Sequence, residues 1–135
     1  MGGFTFLSVP RIVVETGGLD RLGTLMAGLG AKRVAIVCDR GIVEGGLAAR
    51  ARSALTAAGL TARVLDGVQA DPPVATVRAT LAAARDFAAD GVVGLGGGSS
   101  LDTAKLVALL LRSGQAVEEL YGQDKAHGPR LPLIQ

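Results

Sequence analysis

Cysteine occurs once, at position 38, so no intrachain disulfide can form and no cluster of sulfur ligands is at hand for zinc. A reducing, cytoplasmic setting fits that usage. Aromatic residues make up 3% of the chain and tryptophan is absent, which leaves too few rings for an aromatic cage or a base-stacking platform. A net charge of +2, with Arg and Lys scattered from Arg11 to Arg130, gives no basic stripe that could release many counterions on DNA. Nucleic acid is therefore not an expected partner. The opening MGGFTFLSVPR lacks the charged stretch and long apolar core of a secretory signal, and Phe6 stands where myristoylation wants Ser or Thr. The longest apolar run, residues 106–111, is far too short to cross a bilayer, so no membrane partner is expected either.

What the chain does have is apolar residues, 49% of the total, and 20 glycines in 135 residues. That supports one domain, 1–135, with a sizeable core. Residues 4–8 alternate and residues 11–15 are β-branched around Pro10, which predicts two short strands or a hairpin at a sheet edge. Leu19, Leu22, Leu25, Met26 and Leu29 recur at helical spacing, and residues 34–38 form a short apolar run that predicts a buried strand. A helix is predicted over residues 42–58, closed by Gly59 in the left-handed position, with Gly45 and Gly46 weakening its start; residues 61–65 are the next strand. Asp71 with Pro72 and Pro73 opens a further helix, whose apolar stripe is Val74, Val77, Leu81, Ala84 and Ala88. Residues 92–95 read as a strand, and the helix from Ser99 to about Arg112 is apolar nearly all round, so it should be buried on more than one side. Strands alternating with helices predict an α/β fold: a mostly parallel sheet with helices on both faces and a ligand crevice at the carboxyl ends of the strands. Residues 131–135 look like the start of a strand with no turn or polar tail after it, which suggests a truncated protein.

The most informative stretch is VVGLGGGSSLDTAK at residues 92–105, where three glycines separate a strand from a helix. Glycines let the backbone turn sharply and bring amides within reach of a phosphate, and the following helix adds its positive end. Gly96, Gly97, Gly98 and Ser99 are thus candidate phosphate ligands. A plainer reading is open beside this one: Ser99 followed by Asp102 makes a capping box, which any well-formed helix can carry. Lys105 can draw toward a phosphate or pair with Asp102 on the same helix face, the pairing being favoured. The spacing is neither a Walker loop nor a dinucleotide GxGxxG opening the first βαβ unit. Asp39 ends a strand and either caps the next helix or faces a ligand; Asp71, directly before Pro72, reads as a natural helix cap.

GGGSSLDTAK resembles the nucleotide-binding signature of the iron-containing, group III metal-dependent alcohol dehydrogenases, GGGSxxDxxK, and meets every fixed position of it. The likeness extends to the GG-initiated helix after the first strands, Asp39 in VCDRG, the DPP of residues 71–73 and the final LPLIQ. The chain looks like the amino-terminal domain of that family, Rossmann-like in the dehydroquinate-synthase-like manner. Ser99 with Asp102 favours the alcohol branch over glycerol dehydrogenases, which resemble GGGKxxDxxK, and over maleylacetate reductases, which usually lose the aspartate. The resemblance implies hydride transfer between an alcohol or aldehyde and NAD, with Asp39, Asp71, Gly96, Gly97, Gly98, Ser99 and Asp102 at the cofactor. Asp39 would face the adenosine ribose and repel a 2′-phosphate, which favours NAD over NADP. Asp71 departs from the family, which often has Asn there. The family's Fe2+ or Zn2+ is held by one Asp and three His on a separate helical domain; this chain has only His127, read as a solvated loop residue, so the metal belongs to the full-length protein and the isolated chain is expected to be inactive. A homodimer through the amino-terminal edge strand is expected. The alternative is a nucleotide-binding or self-associating module that acts without turnover.

Overall fold

The computed structural model describes residue 3 and residues 8–135. Its framework is four parallel strands, β1 (Arg33–Asp39), β2 (Thr61–Val68), β3 (Gly91–Leu95) and β4 (Leu133–Ile134), in the order β2-β1-β3-β4. The helices are α1 (Leu22–Gly28), α2 (Arg40–Glu44), α3 (Leu47–Ala57), α4 (Val74–Asp86) and α5 (Gly98–Ser113). Two 3-10 turns, Gly18–Arg21 and Val117–Leu120, complete the described elements.

Period-two alternation along the central strands divides the core between two faces. Val34 and Ile36 of β1 and Val93 of β3 point to the side where Leu22, Met26, Ala51 and Leu55 pack from α1 and α3. Ala35 and Val37 of β1 and Val92 of β3 point to the other side, against Leu81, Ala84, Ala104, Val107 and Leu110 from α4 and α5. Both strands are buried on both faces, which is why they read as unbroken apolar runs. Met26, Ile36, Leu55 and Leu110 are fully buried, each worth about 1.5–3 kcal/mol relative to exposure. The predicted α/β architecture with helices on both faces is the one found. As expected, α5 is buried on more than one side, against β3 and α4, with Asp102, Lys105 and Arg112 among its exposed positions.

Several local expectations are corrected. Residues 11–15 form no strand and lie exposed, Ile12 at 75% and Val14 at 91%; the companion strand expected at residues 4–8 lies, but for Ser8, outside the described residues. The apolar spacing of residues 19–29 is split between a 3-10 turn and α1, and Leu29 is left 52% exposed past the helix end. The single helix expected over residues 42–58 is two helices, because Gly46 adopts φ 79°, a left-handed conformation that interrupts the hydrogen-bond ladder. Asp71 does not cap α4; Pro73 stands at the N-cap position, with no side-chain capping bond. A residue before proline is kept out of the helical region, so the two prolines delay the helix to Val74, and Asp71 sits at φ 45°. Ala88 falls just past the helix at φ 54°, exposed, and buried Phe87 takes its place, its ring 4.5 Å beneath the Arg33 guanidinium.

Cys38 is wholly buried in β1. Burial, aided by the Asp66 and Asp39 carboxylates, pushes its thiol from the ordinary 9.0 up to about 11. The folded chain therefore keeps this proton to higher pH than the unfolded chain does, so stability is level below pH 9 and declines as pH rises from 9 toward 11. The decline attributable to this thiol is expected to reach roughly 2–3 kcal/mol. Urea unfolding at pH 8 and pH 10.5 should show this slope in the native sequence and lose it in Cys38→Ala.

Candidate functional site

The order of the strands creates the site. From β1 the chain leaves through α2 and α3 on one face of the sheet, and from β3 it leaves through α5 on the other, so β1 and β3 are neighbours whose exits diverge. Such a switch point opens a crevice beyond the carboxyl ends of the strands. Cys38 is in register with Leu95 and Asp39 with Val68, which brings Asp39, the loop after β3 and the loop after β2 to one place. A cavity of about 250 Å³ lies there, lined by Asp39, Gln69, Ala70, Gly97, Gly98, Ser99 and Ser100.

Each glycine of the loop has a separate task. Gly96 takes φ 133°, which an L side chain rarely adopts, and a β-carbon there would stand 3.2 Å from Ile42 Cγ1 and Ser100 Oγ and 3.3 Å from Asp39 Oδ2. It lets the chain double back between Asp39 and α5. Gly97 and Gly98 face open space, with no atom within 4 Å of a β-carbon on either. Closer to the core, a β-carbon on Gly94 would come within 2.8 Å of Ala104 Cβ, so its absence allows α5 to lie tight against β3.

Gly97 is the N-cap of α5 and offers no side-chain acceptor. The expected capping box is therefore not formed: Ser99 lies inside the first turn, where its side chain is no longer placed to cap. The first intrahelical bond runs from the Leu101 amide to the Gly97 carbonyl, so the amides of Gly98, Ser99 and Ser100 have no helical acceptor. They stand at the positive end of a 16-residue helix and at the wall of the crevice. Three free donors, two Cβ-free residues and a helix dipole form a cradle for an anion such as a diphosphate.

Of the residues singled out from sequence, Asp39, Gly97, Gly98 and Ser99 line the cavity, and Gly96 forms its turn. Both readings of Asp39 meet here, since its Oδ1 accepts from the Ile42 amide at 3.1 Å, capping α2, while the residue also walls the crevice. Asp71 follows the lining residue Ala70 but is not itself in the wall. Asp102 stands exposed one turn into α5 and accepts from Lys105 Nζ at 3.0 Å, so the lysine is engaged in the ion pair. His127 lies in an exposed loop stapled by Gln115, whose Oε1 accepts from the His127 amide. Among the described residues no three of His, Cys, Asp or Glu are grouped to hold a metal ion. Sequence reasoning missed Gln69 and Ser100. The rule that ligands sit beyond strand ends points to residue 69, once β2 is known to run to Val68 instead of stopping at residue 65.

The model of the iron-containing alcohol dehydrogenase family matches residues 10–135. Alcohol dehydrogenase 4 of Schizosaccharomyces pombe is 38% identical over 105 residues, covering 78% of this chain and 25% of that protein. Alcohol dehydrogenase 4 of Saccharomyces cerevisiae strain YJM789 is 32% identical over 135 residues, covering 99% of this chain and 35% of that protein. The solved NADH-dependent butanol dehydrogenase A of Thermotoga maritima superposes with a TM-score of 0.78 at 25% identity, over 98% of this chain and 34% of that one. The chain thus spans a quarter to about a third of the length of these relatives. With the family pattern matched along nearly all of it and the glycine loop set at the switch point of a parallel sheet, this chain belongs to the iron-containing alcohol dehydrogenase family.

Proposed function

We propose that this chain is the dinucleotide-binding domain of an NAD-dependent, metal-assisted alcohol dehydrogenase, acting on an alcohol/aldehyde pair. The observation that carries the reading is the set of unpartnered amides of Gly98, Ser99 and Ser100 opening onto the crevice that Asp39 walls. When bound, NAD supplies the nicotinamide that accepts hydride. The residues of this chain hold it: the three amides and the end of α5 take the diphosphate, and Gly97 and Gly98 leave room for it. The free oxygen of Asp39 accepts from a ribose hydroxyl and repels a 2′-phosphate, which favours NAD over NADP. Asp71, next to the lining residue Ala70, and Asp102, two positions past Ser100, complete the set at the edges of the cofactor. The name of the butanol dehydrogenase neighbour, NADH-dependent, supports the same choice.

Fe2+ or Zn2+ does not fit the described residues, which group no ligand set. Its ligands are proposed to lie in another part of the full-length enzyme, and the 135 residues of this chain bind cofactor without turnover. A cytoplasmic enzyme is proposed, and a homodimer formed through the amino-terminal segment, where Ile12 and Val14 are exposed. Light scattering on the concentrated chain should then give twice the monomer mass, and a strictly monomeric species would exclude that arrangement.

Titration calorimetry tests the central reading. NAD and ADP are expected to bind this chain, NADP at least about tenfold more weakly than NAD, since one charge repulsion of about 1.4 kcal/mol suffices for that factor. Absence of heat with both NAD and ADP, confirmed by unchanged melting temperature, would overturn it.

A further inference from the structure

Ser100 carries the one buried side-chain oxygen or nitrogen without a hydrogen-bond partner among the described residues. The residue is 1% exposed, third in α5, and belongs to the lining of the crevice. Its neighbours in the first turns of α5 behave otherwise: Thr103, equally buried, donates its hydroxyl to the Ser99 carbonyl at 2.8 Å. Ser100 has not taken that outlet. Its Oγ lies on the loop side, 3.2 Å from where a β-carbon on Gly96 would stand, a point that is also 3.3 Å from Asp39 Oδ2. A buried hydroxyl left without a partner lowers stability, and alanine of nearly the same shape would remove the loss. Retaining serine here is explained by a partner that arrives with a ligand.

We propose that the Ser100 hydroxyl is a side-chain donor to the diphosphate, reached when the bound anion settles on the amides of Gly98 and Ser99. This rests on the dinucleotide reading above and adds to it a residue outside the fixed positions of the glycine signature. A serine hydroxyl turns about one bond between staggered wells, so redirecting it asks for no movement of the backbone. Charged acceptors make such a bond stronger than a neutral one, and the low-dielectric wall of the crevice strengthens it further.

Ser100→Ala in this chain separates the possibilities. Without ligand, the variant is expected to melt at a higher temperature than the original, because it loses an unsatisfied group and little volume. Its affinity for ADP and for inorganic pyrophosphate is expected to drop about 10- to 100-fold, as for a hydrogen bond to a charged group, while adenosine, which has no phosphate, binds both proteins alike by saturation-transfer NMR. Unchanged ADP and pyrophosphate affinity in the variant, with the original chain binding both, would overturn the role of Ser100 and leave the dinucleotide reading standing. A lowered melting temperature would overturn it too, since the hydroxyl would then be already satisfied without ligand. Failure of the original chain to bind ADP or NAD would instead remove the reading on which it rests.

Discussion

Gly97→Val is expected to weaken NAD binding more than about 100-fold, the loss of two or so charge-assisted hydrogen bonds, while the chain stays folded. The backbone explains the separation. Gly97 has φ −84° and ψ −174°, an extended conformation suited to a β-branched residue, and a β-carbon there meets nothing within 4 Å. The protein has no steric objection to valine. The valine methyls would instead stand in the crevice, over the Gly98 and Ser99 amides, where the diphosphate is proposed to lie. The cost to the fold is limited to an unfavourable N-cap, about 1 kcal/mol. Gly96→Val provides the contrast: with φ 133° and three atoms at 3.2–3.3 Å, it should lose fold and binding together. Calorimetry with NAD and urea unfolding, run on both variants, read the two effects apart. Undiminished affinity in a folded Gly97→Val protein would falsify the placement of the diphosphate on this loop.

The second large effect is expected far from the crevice, in Gly23→Ala. Judged by helix propensity alone, alanine in place of a helical glycine gains about 1 kcal/mol. Tertiary packing reverses the sign. Gly23 is buried where α1 crosses α3, and a β-carbon there would stand 2.1 Å from the Ala54 carbonyl oxygen and 2.7 Å from Ala58 Cβ. No rotamer relieves a collision with backbone, so the two helices must part, and overpacking of this kind costs about 1–3 kcal/mol or more. A Gly91→Ala variant should suffer less, because its tightest obstruction, Ala31 Cβ at 2.7 Å, overlaps less than the Ala54 carbonyl oxygen at 2.1 Å does, and Met26 Sδ at 3.2 Å is adaptable. Chemical denaturation of the two variants checks the order, and a stabilised Gly23→Ala would contradict the close crossing of α1 and α3.

Much of this was legible in the chain itself. Residues 34–38 and 92–95 announce buried strands because a strand covered on both faces needs apolar side chains at every position. The glycine run at residues 96–98 announces a tight turn for the matching reason that only glycine leaves the backbone uncovered. The helix boundaries were less legible. Whether Gly46 interrupts a helix or is tolerated within it depends on a conformation that packing selects, and the PP pair shifted the start of α4 beyond Asp71 through sterics between neighbouring residues. Ile12, Val13 and Val14 have the composition of a strand, yet residues 11–15 form none, since β-branched composition does not by itself supply the hydrogen bonds of a sheet.

The sequence by itself determined the alternation of strands and helices, the two-sided burial of the sheet and the stretch of chain able to approach a phosphate. These depend on local periodicity and on the presence or absence of a β-carbon, which are properties of residue order alone. Only the tertiary structure decided that Asp39, Gln69 and Ser100 meet the glycine loop, that Lys105 is engaged by Asp102 and that Gly23 has no room for a methyl group. Those facts follow from strand order and helix crossing, where residues tens of positions apart come together because burying both faces of one sheet leaves the chain few other ways to close.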